Sequence, residues 1–318
     1  MRILLVGLFC FALSGAIFAN VNIFEKMFHP YDSPAFRSAA ELKVDADDKV
    51  LAVTIGQNAR AYPIRTMGYH HIVNDTVGCV AIAVTYCTLC HTGLVWSRMV
   101  EGKLLRFRLA GINNGDALLR DEQTSSIWQQ STGAAIFGSL KGKHLELVRS
   151  DELSLGLWRR EQPQGTVWRP DVRYVAEYDP KDWERHVEGT RTVVDTARSG
   201  VRPHELMLGV AVAGQDKAYP VEAILAARLI QDRVGGTSVL LVVGPDGASI
   251  RVFEGFGGGE GCDLDLCQGW GRRRDERYRD GKHVELPRVC GGGQDGGTLP
   301  ERDRCAQGLL VRLDESSS

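Results

Sequence analysis

The residues best placed to do chemistry lie in one short stretch, "TYCTLCHTG", from Thr85 to Gly93, where Cys87, Cys90 and His91 stand in the order C-x-x-C-H. Two thiols at that spacing can face each other or one shared ion, and an adjacent imidazole can ligate or move a proton. Several chemistries fit. A c-type haem would take thioethers from Cys87 and Cys90 and an axial bond from His91. A thiol–disulfide pair would cycle Cys87 and Cys90, with His91 as an imidazolium lowering the pKa of Cys90. A metal knuckle would use both sulfurs with His91 and His70. A Cys2His2 set suits Zn, and a softer three-coordinate set suits Cu(I). The non-chemical alternative is a structural disulfide, or small buried side chains grouped with Cys79. If there is a cofactor, Zn or Cu stands ahead of haem c, because no nearby Met or His offers a sixth ligand. "HTGLVWSR" after Cys90 reads as strand, so no helix dipole is at hand to stabilise a thiolate.

Further polar residues are pocket candidates: Arg60, Asn74, Asp121 and Trp128. Each has a plainer role open to it. Asn74 and Asp75 can form the turn before Gly78, Arg60 can be a solvated charge, and a buried Trp128 is core. His70 and His71 end a short helical stretch, where a cation is favoured.

The elements that must position these residues are written twice. "LAVTIGQNARAYPIRTMGYHHIVNDTVGCVAIAVTYC" from Leu51 aligns without a gap to "LGVAVAGQDKAYPVEAILAARLIQDRVGGTSVLLVVG" from Leu208. Tyr62 matches Tyr219, Pro63 matches Pro220, Asp75 matches Asp232 and Gly78 matches Gly235. Each copy predicts an alternating strand, Ala-Tyr-Pro, a helical stretch (Ile64 to Val73, Val221 to Ile230), a turn and a continuous apolar strand. "GLVWSRMVEGKLLRFRLAG" alternates about Glu101-Gly102 and predicts a hairpin. The fold class expected is α+β, rich in antiparallel strand, with two tandem copies of one unit. Only the first copy carries thiols and imidazoles: Gly244 and Gly247 stand opposite Cys87 and Cys90.

The chain has 318 residues, 43% hydrophobic and 25% charged, with a net charge of −2, which argues against a nucleic-acid partner. "MRILLVGLFCFALSGAIFAN" has the basic start, apolar run and small residue of a secretory signal, and it is on the short side for a span. The expected organisation is a signal over 1–19, a lead-in over 20–45, a first repeat over 46–170, a second over 171–254 without a Cys/His site, and an aberrant tail over 255–318. The protein would be periplasmic or secreted, with no stable membrane span once the signal is cut. The tail is dense in Gly and Arg without apolar periodicity. It reads either as a non-folding extension or as a shifted reading frame, since suitable codons for "HVELPRV" and "GLLVRLDESSS" read one base later restore the Trp and Pro that the first copy predicts. On the second reading Cys262, Cys267, Cys290 and Cys305 are artefacts.

"RAYP" at Arg60, "HHIVND" at His70, "TYCTLCHTG" at Thr85, "DEQTSSIWQQ" at Asp121, and Trp158 followed by Pro163 come in one order. Together they resemble the bacterial domain of unknown function 3179, over Leu51 to about Pro163 and, more weakly, over the second copy. His71 stands where that family has Glu, Thr88 where it has Pro, and Arg120-Asp121-Glu122 where it has Tyr-Asp-Arg. The resemblance allows Gly at position 91, which would remove a haem ligand. It implies a shared fold and a shared site, and no reaction. The sequence thus points to an exported protein with a C-x-x-C-H metal-binding or thiol-redox site. The alternatives are a disulfide-braced binding domain and a c-type haem protein. Substrate and partner are not specified.

Overall fold

The computed structural model describes residues 24–255, apart from 26, 42–44, 114, 179, 182, 185–200, 203 and 213, and the backbone of 307–312. The signal segment and all of the tail except that last strand lie outside the described residues, as do Cys262, Cys267, Cys290 and Cys305.

Strands β1 (Lys49–Ile55) and β2 (Asn58–Pro63) form a hairpin. Pro63, with no N–H for a ladder, closes it and starts helix α1 (Ile64–His70). The helix is shorter than the expected run to Val73. His71 takes a φ of +57°, its amide donates to the Met67 carbonyl at 2.7 Å, and the β-branched pair Ile72-Val73 continues as strand. That strand, β3 (Ile72–Val77), pairs antiparallel with β4 (Val80–Cys87) around Gly78. Asn74 and Asp75 therefore lie within a strand and not in the turn. The turn is at Gly78, whose φ of +59° suits glycine.

β4 pairs in turn with β5 (Thr92–Ser97), and the connection between them is the C-x-x-C-H segment. No helix follows the thiols, in line with the sequence pattern. The hairpin expected at Glu101-Gly102 is present. Both residues have positive φ, +49° and +76°, as a two-residue turn between twisted strands requires. A second sheet holds β6 (Phe107–Asn113), β7 (Asp116–Asp121), β8 (Ile127–Gln129) and β9 (Ala135–Phe137). A third holds β10 (Asp151–Ser154), β1, β2, β11 (Thr166–Trp168) and Phe36–Ser38. Helix α2 (Leu155–Glu161) follows β10, capped by Ser154 Oγ, which accepts from the Leu157 amide.

The β3–β4–β5 sheet lies between the other two. Ala83, Cys87, Leu94 and Trp96 face the second sheet, packing with Phe107 and Trp128. Ile82, Val84, Tyr86 and Val95 face the third sheet and α1, packing with Leu51, Tyr62, Met67 and Trp168. Burial of both faces explains why β4 reads as an unbroken apolar run.

The same order recurs with β12 (Leu206–Val212), β13 (Gln215–Pro220), α3 (Val221–Ala227), β14 (Leu229–Val234), β15 (Thr237–Val243) and β16 (Ile250–Gly255). β17 (Gln307–Arg312) pairs with the free side of β12. Helix α3 stops short of Ile230 because Arg228 takes a φ of +67° and caps onto the Ile224 carbonyl. The turn after β15 is tied to the first half. Ser249 Oγ accepts from the Ser154 amide at 2.9 Å, and Ser154 Oγ donates to Asp246 at 2.6 Å. Arg251 grips Glu161 through two bonds of 2.9 and 2.8 Å and reaches Asp151 at 3.0 Å. The described chain is α+β and mostly antiparallel. Among the described residues no helix is long and apolar enough to cross a membrane.

Candidate functional site

Cys87 ends β4 and Cys90 sits three residues on in the turn, so both sulfurs point into the apolar cluster shared with Leu94, Trp96 and Trp128. Both are buried free thiols, and Cys79 is an exposed one. Hydrogen bonding from Cys90 lowers the pKa of Cys87 against the opposing effect of burial, while the same contact and burial push Cys90 up. The pair is thus asymmetric, with Cys87 as the readier thiolate. The base of the turn is held from the second sheet. The Gln130 amide donates to Thr85 Oγ1 at 3.1 Å and to the Thr92 carbonyl at 3.0 Å. The tip is open to solvent at Leu89, 44% exposed.

His91 goes the other way. His91 is a turn residue with a φ of +51°, and its ring lies on the Tyr86 side of the hairpin. It packs on Trp183 at 4.9 Å between ring centres and against Tyr86 at 6.1 Å. Its Nε2 is 3.1 Å from Glu184 Oε1 without the alignment of a hydrogen bond, and its Nδ1 has no partner. His91 foremost, and then Lys49, hold the Glu184 carboxyl down to about 2 against burial. Lys49 lies between two carboxylates, 2.9 Å from Glu184 and 3.9 Å from Glu152. Glu152 is partly buried, its side chain 14% exposed, and desolvation raises its pKa.

His70 is in a third place. Its Nδ1 is 2.5 Å from the His29 carbonyl and its Nε2 3.2 Å from the Tyr178 hydroxyl, within a ring of Tyr31, Tyr69, Trp168, Tyr174 and Tyr178. Burial lowers its pKa. Neighbouring His71 caps α1 and bonds the Tyr86 carbonyl through Nδ1 at 2.9 Å. The four-ligand set Cys87, Cys90, His91 and His70 is therefore not assembled. Among the described residues no group of three or more His, Cys, Asp or Glu is placed to hold a metal ion. A haem bound through both sulfurs would need His91 on their side of the hairpin, where it is not.

The pocket candidates are committed to the framework. Arg60 Nη1 and the Tyr62 hydroxyl both reach Asp75 Oδ2, at 2.5 and 2.6 Å. Asn74 copies a peptide unit: its Oδ1 accepts from the Phe107 amide at 2.9 Å and its Nδ2 donates to the Phe107 carbonyl at 3.1 Å, joining the first two sheets. Asp121 organises its own loop, accepting from the Thr124 amide and hydroxyl, the Ser126 amide and Trp128 Nε1. Trp128 is fully buried. Glu122 faces Arg108 at 2.8 Å, so this acid has a local counter-charge.

Lys49, Tyr86, Glu152, Trp183 and Glu184 were not foreseen. They come from four segments with no shared motif. The available signal was an acid, Glu152, in a short strand otherwise reading as buried. No curated protein and no solved structure matches the chain. A family model does match residues 28–297, which include the thiol turn and both hairpin–helix–hairpin segments, and the chain belongs to that family, described as a protein of unknown function, DUF3179.

Proposed function

We propose that this is an exported protein with a dithiol–disulfide pair at Cys87 and Cys90, carried by the first of two copies of one unit. The observation that supports the redox reading is two free, buried thiols, separated by two residues and electrostatically coupled, at a hairpin turn with an exposed tip. In the reaction both thiols lose their protons and together give up two electrons. The Cys87–Cys90 bond forms as a partner protein's disulfide takes up those two electrons and two protons. Export rests on the basic, apolar and small-residue order of residues 1–19, and places the protein in the periplasm or outside the cell. Duplication is supported by matched contacts. Tyr219 and Lys217 reach Asp232 as Tyr62 and Arg60 reach Asp75, and Arg228 caps α3 as His71 caps α1.

The test is equilibration of the purified protein in graded redox buffers, with alkylation and mass analysis of Cys87 and Cys90 and a parallel metal determination. A single reversible 87–90 disulfide is expected, with Cys87 alkylated faster than Cys90. The reading fails if the pair never oxidises, if its disulfide resists dithiothreitol in the folded protein, or if a stoichiometric metal holds both thiols.

A further inference from the structure

The hydrogen bonds of Gln130 converge on the base of the thiol turn. Its side chain is fully buried. Nε2 donates to Thr85 Oγ1 at 3.1 Å and to the Thr92 carbonyl at 3.0 Å. Thr85 lies on β4 just before Tyr86 and Cys87, and its hydroxyl donates to the Leu94 carbonyl on β5 at 2.8 Å. Thr92 is the cross-strand partner of Cys87, and its hydroxyl donates to the Cys90 carbonyl at 2.9 Å. One amide thus ties both strands where the turn leaves them, and through Thr92 it reaches the backbone of Cys90.

The loop before Gln130 fixes this amide in turn. Asp121 gathers Thr124, Ser126 and Trp128. The Gln130 amide N–H donates to the Ala117 carbonyl at 2.9 Å, and Trp96 Nε1 donates to the Gln130 carbonyl at 3.1 Å. Asp116 accepts from the amide and the hydroxyl of the next residue, Ser131. Trp96, Ala117 and Trp128 belong to the apolar cluster that holds Cys87 and Cys90. The arrangement leaves Gln130 Oε1 buried without a partner, a cost that an apolar side chain of the same shape would avoid. Net stability is therefore a weak reason for an amide at this position, and control of the turn is a direct one.

We propose that Gln130 is a positioning residue for the Cys87–Cys90 pair, an inference that rests on the dithiol–disulfide reading above. By holding β4 and β5 together at Thr85 and Thr92, it restricts the approach of the two sulfurs in the reduced protein. Less chain freedom is then lost when the disulfide closes, so the clamp favours the disulfide and makes its reduction potential more negative. Gln130 acts through the backbone of the turn and exchanges no electrons or protons.

The test is equilibration of the full-length protein with glutathione at neutral pH. Oxidised glutathione takes up the two electrons and two protons that the dithiol gives up, yielding two reduced glutathiones as the Cys87–Cys90 bond forms. Gln130→Met keeps the length of the side chain and removes the donor. It should lower the equilibrium constant for disulfide formation by about tenfold, a rise of about 30 mV in potential. Thr85→Val removes one of the two anchors and should move the potential the same way by less. Asn74→Ala is the control, since it loosens the same two sheets further back along β4, at the Ala83 rung, and should leave the potential unchanged. A folded Gln130→Met protein with the wild-type potential, or with a more negative one, overturns the proposal. So does an Asn74→Ala potential that moves as far as that of Gln130→Met. If Gln130→Met does not fold, an unchanged potential in Thr85→Val overturns it. A wild-type pair that never oxidises reversibly removes the dithiol reading itself, whereas a reversible wild-type couple with unmoved variants removes this inference alone.

Discussion

Protonation of His71 should weaken the fold as the medium is acidified. Its ring is buried edge-on to Phe28, 4.4 Å between centres, with Nδ1 bonded to the Tyr86 carbonyl. Burial lowers its pKa from 6.5 to about 4. Between those values the unfolded chain binds the proton and the folded chain does not, so stability falls as pH falls through that window. At about 1.4 kcal/mol per unit, the loss relative to neutral pH is about 2 kcal/mol near pH 5 and about 3 kcal/mol near pH 4. Other groups titrate nearby: His70 in the same sense, and Glu152 and Asp116, whose raised pKa values favour the fold at low pH. These remain in a His71→Asn variant, and Asn tolerates the positive φ and keeps a donor for the carbonyl. Urea unfolding of both proteins from about pH 8 to about pH 4 isolates the His71 contribution. The wild type should lose about 2 kcal/mol more than the variant by about pH 5. A difference between the two that stays flat with pH would refute the reasoning.

Two further outcomes are expected. Tyr62→Phe removes a buried bond to a carboxylate and should cost about 1.5–3 kcal/mol. The matching Tyr219→Phe should cost under about 1 kcal/mol, since Asp232 is 30% exposed where Asp75 is 7% exposed; denaturant melts of both variants decide it. Asn74→Ala leaves the Phe107 amide without its partner between two sheets, while the Phe107 carbonyl keeps Arg108 Nη1, and should cost about 1–3 kcal/mol in the same assay.

The hairpins were legible because local chemistry dictates them: Glu101-Gly102 takes the two positive φ angles such a turn needs, and β4 shows an unbroken apolar run because sheets cover both its faces. The thiol pair was legible because two residues of spacing carry the sulfurs to one side. The position of His91 was not. Adjacency in sequence suggests proximity, but at a strand end one residue changes the face, and a φ of +51° at His91 turns the ring toward Trp183. Asn74 and Asp75 look like turn formers by type, and only the tertiary demand for an amide beside Phe107 explains an Asn in a strand. Glu152 and Glu184 reach His91 from distant segments, and no periodicity records such a meeting.

The interlock between Ser154, Asp246 and Ser249, and between Arg251 and the Asp151–Glu161 pair, depends only on side chains at or before residue 251. A polypeptide cut back to Gly255 would therefore keep these side-chain bolts between its two halves, though not the packing of β17 against β5. What it would forfeit is the strand beside β12, leaving a sheet edge bare for another chain to pair with.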